Sequence, residues 1–73
     1  MKAKTTLNIT GGQFDDVRYA NDLVVVEKSW NDHLSHTTVF YVYETVESKI
    51  PLYGVFQEIT EDGAHYWKEV YNA

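Results

Sequence analysis

The chain has no cysteine, one proline and one methionine in its 73 residues. Without cysteine there is neither a disulfide framework nor a thiolate metal site to staple a small domain. No apolar run approaches the ~18 residues of a membrane span. Lys2 and Lys4 are followed by no apolar segment, so the beginning of the chain does not read as a signal peptide. No membrane association is expected, and the cytoplasm is the expected location. Basic residues are scarce as well. Six Lys and Arg face eleven Asp and Glu, for a net charge of −5. Two of those lysines fall in the first four residues, which leaves the body from Thr5 onward at −7. Phosphate contacts by Lys and Arg supply most nucleic-acid affinity, so direct nucleic-acid binding is not expected. An acidic body is instead suited to approaching a protein partner with a basic surface.

What the chain does have is aromatic mass: Phe14, Phe40, Phe56, Trp30, Trp67 and six tyrosines, against seven Leu and Ile together. A domain of this size buries only about 60% of its unfolded surface. The aromatics must therefore provide much of its core. Residues 1–73 read as one small domain, with 1–4 as a flexible basic lead-in. "TTLNIT" (5–10) alternates and ends at Gly11-Gly12, a turn signal. "LVVVEKSW" (23–30), "TTVFYVYETV" (37–46), "LYGVFQEIT" (52–60) and "AHYWKEVY" (64–71) read as further strands. Pro51 breaks the chain before the fourth. Asp62-Gly63 suits a two-residue type I′ turn, which would set Ile59 opposite Tyr66 and Val55 opposite Val70. Residues 13–20 read as either a short helix or a loop, with Phe14, Val17 and Arg18 at helical spacing and Asp15-Asp16 in a first turn. The fold class expected is mainly β: a small five-stranded antiparallel sheet that curls on itself, or an SH3-like barrel, with one short helix near 13–20.

Residues 39–46, "VFYVYETV", raise the functional question, because neither face of that strand is polar. One carries Val39, Tyr41 and Tyr43, the other Phe40, Val42 and Val46. A half-buried strand ordinarily alternates. The expectation is that one face enters the core and the face with Tyr41 and Tyr43 is a contact surface.

Three constellations bear on chemistry. Asp32, His33 and His36 are metal-ligating types in one connection, but two histidines without a third and fourth ligand make no site, so no metal or other cofactor is expected. The same stretch, with Ser29 and Ser35, supplies triad residue types crowded into eight positions, with no nucleophile elbow or phosphate loop. No enzyme is expected. The third is the set Tyr41, Tyr43, Glu44, Glu58, Trp67, Glu69 and Tyr71, spread over three strands. Tyr and Trp are favoured anchors at protein interfaces, and an acidic rim steers encounter.

In general character the chain resembles the small acidic inhibitors encoded by viruses and mobile elements, such as anti-CRISPR proteins and modulators of host polymerase. The likeness is one of type, with no shared residue motif. It implies a non-catalytic protein-binding module acting in the host cytoplasm. There it would block a host nucleic-acid-handling protein, with Asp15, Asp16, Glu44, Glu58, Glu61, Asp62 and Glu69 standing in for phosphates. The alternative is a structural or accessory β-module that homo-oligomerises through its exposed sheet face or edge. A lesser alternative is metal or ligand binding around His33 and His36.

Overall fold

A computed structural model describes residues 3–20 and 22–71. Five strands form one antiparallel sheet: β1 (Ala3–Leu7), β2 (Val24–Asn31), β3 (His36–Tyr43), β4 (Tyr53–Thr60) and β5 (Gly63–Val70). Their spatial order is β1-β5-β4-β3-β2, so β1 and β2 are the two edges and the sheet does not close. An open antiparallel sheet is thus the architecture adopted, and the closed barrel is not. Three consecutive hairpin-linked or short-linked pairs build β2 to β5, and β1 adds beside β5. Ala3 and Lys4 pair with Val70 and Glu69, so of the lead-in expected over 1–4 these two residues belong to the sheet. Residues 1 and 2 lie outside the described residues.

Between β1 and β2 the chain forms α1 (Gly11–Asp15) and continues as a 3-10 turn over Asp16–Tyr19. Thr10 starts the helix with a capping box. Its hydroxyl accepts from the Gln13 backbone N–H at 3.1 Å, and the Gln13 side-chain Oε1 accepts from the Thr10 N–H at 2.9 Å. Two of the amide groups that a helix start leaves unpaired are satisfied in this way. Gly11-Gly12, read from sequence as a turn, is therefore the first turn of the helix.

Phe14 is what the helix delivers to the sheet. It is 1% exposed, packed against Phe40 with ring centroids 4.7 Å apart and against Tyr66 at 5.7 Å. Val55 completes the buried cluster, and Leu7, Ile9, Val17, Val25 and Tyr53 close around it. Removing a side chain like Phe14 from water is worth about 1.5–3 kcal/mol. Arg18 extends its guanidinium over the Phe40 ring, 5.4 Å from the centroid, and lies 3.6 Å from Asp15 and 4.0 Å from Glu27. This ties the 3-10 turn to β2.

The β4–β5 hairpin turns one step earlier than the sequence suggests. Thr60 pairs with Gly63, so Glu61 and Asp62 form the turn, Ile59 lies opposite Ala64 and Val55 opposite Lys68. A type I′ turn needs positive φ at both central residues. Neither Glu61 nor Asp62 has it; Gly63, at φ +120, takes the positive-φ position after the turn instead. The displacement amounts to two residues of register, an even number, so every side chain keeps the face expected of it.

Candidate functional site

The helix covers one side of the sheet. Among the described residues no element covers the other. Cross-strand pairing sets its composition. One row runs Thr6, Trp67, Phe56, Val39, Lys28 from edge to edge. The next runs Lys4, Glu69, Gly54, Tyr41, Val26. Tyr43 follows on β3, opposite Val24, and Glu58 and His65 pair nearer the hairpin turn.

This open side has its own packing. Phe56 and Trp67 stack nearly parallel, with centroids 5.1 Å apart and planes 4° from each other. Tyr41 meets Phe56 edge-on at 6.0 Å and Tyr71 at 6.1 Å. Lys4 places its ammonium 4.7 Å from the Trp67 ring centre, and Lys28 lies 5.9 Å from that of Tyr41. Val39 is fully buried and Phe56 nearly so, although both point away from the helix. Neither face of β3 is polar because both are packed, one beneath α1 and one beneath neighbouring aromatics. Tyr41 and Tyr43 are half-buried rather than fully exposed.

Gly54 makes this packing possible. A Cβ there would meet Phe56 Cε1 at 3.1 Å, Tyr41 Cδ1 at 3.2 Å and the Tyr71 hydroxyl at 3.2 Å. Three rings thus lean over a bare stretch of backbone. Glu69 then fixes two aromatics: Trp67 Nε1–H donates to Oε2 at 3.0 Å and the Tyr71 hydroxyl donates to Oε1 at 3.0 Å. Burial, first, and then the hydrogen bond and negative charge of Glu69 hold the Tyr71 phenol above the ordinary tyrosine range, with a smaller effect of Tyr41 in the same direction. Lys28, Tyr41, Tyr43, Ile50, Pro51 and Tyr71 line an open cleft of about 520 Å³ at this place.

Of the residues expected from sequence to form the contact surface, the structure brings Tyr41, Trp67, Glu69 and Tyr71 together, with Tyr43 adjoining. Glu58 shares the side but stands toward the turn. Glu44 follows the end of β3 and is exposed. Lys4, Lys28 and Gly54 belong to the same surface and were not singled out from sequence. Lys68, paired with Val55, points to the helix side, with its ammonium 4.3 Å over Tyr53.

The carboxylates do not form one array. Asp15 and Asp16 belong to the helical segment, Glu44 to the β3–β4 connection, and Glu69 to the aromatic packing. One acidic group does assemble: the β2–β3 and β4–β5 turns lie side by side, where Leu34, Ser35, Glu58, Glu61, Asp62 and His65 border a cleft of about 510 Å³. His36 lies at the same end, with one ring nitrogen against Asn31 Oδ1 and the other 3.4 Å from Thr38 Oγ1. Among the described residues no three His, Asp or Glu stand together as metal ligands would. No helix among them is long and apolar enough to cross a membrane.

Comparison with known proteins places the chain. The phage T4 Cef protein family matches residues 1–70. The chain belongs to that family. It is 52% identical over 71 residues to Protein cef of Enterobacteria phage T4, an alignment that takes in 97% of this chain and all of the relative. No solved structure matches it.

Proposed function

We propose that this phage-family protein is a non-catalytic protein-binding module that docks on its partner through the open side of the sheet. The observation that carries the reading is an aromatic surface, packed over the bare backbone of Gly54 and hydrogen-bonded to Glu69, that no element covers among the described residues. An ordered aromatic surface loses little side-chain entropy on binding, and Tyr and Trp are the residues most often found as interface anchors. Membership of a phage family favours a partner in the infected host's cytoplasm.

The acidic turn end, with Glu58, Glu61 and Asp62, suits a basic neighbouring surface. Proteins that handle nucleic acid present such surfaces, and inhibition would follow from occlusion. Direct binding of nucleic acid is disfavoured by geometry as well as by charge. Base stacking needs an open ring face. Trp67 has Phe56 on one face and the Lys4 ammonium over its ring, and Tyr41 has Lys28 over its own.

The test is capture from infected-cell lysate by the purified protein, washed at low and high salt, with Tyr41→Ala in parallel. Specific capture by the wild type that Tyr41→Ala loses, while still folded, is the expected result. Equal capture by both sinks the reading. A second reading, a homo-oligomer, is favoured by one specific feature: β2 leaves an eight-residue edge with no strand beside it among the described residues. The mass in solution distinguishes the two, because a stable dimer that protects Val26 and Trp30 supports pairing through that edge.

A further inference from the structure

We infer that the open side seats an extended segment of the partner protein that is apolar in its middle and carries a carboxylate toward each end. The inference rests on the docking reading above and makes it specific. It starts from where the cations are. Counted over the whole chain, this protein is acidic. The aromatic band is not: Lys4 stands over Trp67 at the β1 edge, and Lys28 stands over Tyr41 on the β2 edge strand. Between them lie Trp67, Phe56 and Tyr41 in continuous ring contact. A lysine therefore terminates the band at each edge of the open side.

Neither ammonium has a carboxylate within ion-pair distance among the described residues; the ion pairs found there belong to Arg18. The one carboxylate inside the band, Glu69, already accepts from Trp67 and Tyr71. An incoming arginine or lysine would meet rings already occupied by cations and a carboxylate already engaged. An incoming carboxylate would meet two ammonium groups that each hold up to three donors. Charge complementarity thus selects an acidic-ended segment for the band, while the basic part of the partner meets the turn end.

The span sets a length. Four inter-strand steps of about 4.8 Å separate β1 from β2, about 19 Å in all. An extended chain rises about 3.3 Å per residue, so about six residues cross the band. Ile50 and Pro51 wall the cleft beside Tyr41, where an apolar side chain from the middle of such a segment would enter.

The probe is a capped peptide, Glu-Val-Pro-Leu-Val-Glu, compared with its Gln-ended and Lys-ended versions. Binding is read from the Trp67 indole N–H resonance on titration. The Glu-ended peptide should move the Trp67 signal saturably and bind about 2–5-fold more tightly for each acid retained, the range expected of an exposed ion pair. Lys4→Met and Lys28→Met should each remove one such factor for the Glu-ended peptide and leave the Gln-ended one unaffected. No saturable shift with any peptide, equal binding of Glu- and Gln-ended forms, or tighter binding of the Lys-ended form overturns the inference. Captured partner in the lysate experiment together with any of these results leaves the docking reading standing and removes this one alone.

Discussion

The two sides of the sheet solve the same problem with different materials. On the covered side a helix of five residues and a 3-10 turn drop Phe14 onto Phe40 and Val55, and apolar area leaves water in the ordinary way. On the open side no element arrives among the described residues, and the side chains shelter one another instead: Phe56 under Trp67, Trp67 under Lys4, Tyr41 beside both Phe56 and Tyr71. The difference teaches that exposure of an element and exposure of a residue are separate matters. Val39 is fully buried on the side that nothing covers. A surface built in this way is ordered before a partner arrives, and lowering the ordering cost is what preorganisation does for affinity.

The sharpest way to break the comparison is to truncate neighbours that point to opposite sides. Phe40→Ala should cost ~3–5 kcal/mol, most of the stability of a domain this small, because it empties the site between Phe14 and Val55. Tyr41→Ala, one residue on, should cost no more than about 2 kcal/mol, since its ring is only half-buried. Chemical denaturation of the two variants checks this, and a larger loss for Tyr41→Ala would reverse the assignment of core and surface.

Gly54→Ala acts on the open side alone. The added methyl must displace Phe56, Tyr41 or the Tyr71 hydroxyl by a few tenths of an ångström, and Phe56 is held between Trp67 and Tyr41. Overpacking of this kind typically costs ~1–3 kcal/mol, and the loss of glycine's backbone entropy offsets about 0.5–1 kcal/mol of it. The Trp67 indole resonance should move while Phe14 resonances stay. Thr10→Ala is its counterpart on the covered side, removing the capping box at a cost of about 1 kcal/mol with the reverse spectroscopic pattern.

The smallest effect is a pH dependence. The folded state keeps the Tyr71 phenol protonated beyond the pH at which a free tyrosine ionises, through burial and the Glu69 carboxylate. A folded-state pKa raised above the unfolded one adds stability that is whole below about pH 10 and declines as pH rises from there toward the folded value. Melting temperature should therefore fall less steeply above pH 10 in Tyr71→Phe than in the wild type. Parallel curves would remove Tyr71 from the account.

Much of this arrangement is legible in the residues. The β-branched apolar run in "LVVVEKSW" and the alternation in "AHYWKEVY" give strands to within a residue or two of their ends, and the sides on which Phe56, Trp67 and Tyr71 collect follow from a period of two. The hairpin register is not legible from Asp62-Gly63, because a glycine serves equally as the second turn residue or as the positive-φ residue after a turn. The helix start is written in Thr10-x-x-Gln13, a capping-box pattern masked by two glycines that ordinarily signal a turn. The lysine-bounded band was beyond reach, because Lys4 and Lys28 are 24 positions apart in a chain whose net charge points the other way. Only the order β1-β5-β4-β3-β2 sets them at opposite edges of one surface.

The central claim is that the covered side supplies stability and the open side supplies binding. It is tested most directly by partner capture from infected-cell lysate with Tyr41→Ala and Thr10→Ala side by side, both confirmed folded. The account predicts that Thr10→Ala, though destabilised, captures what the wild type captures, and that Tyr41→Ala does not. Loss of capture by Thr10→Ala with retention by Tyr41→Ala would contradict it and move the binding surface to the helical side.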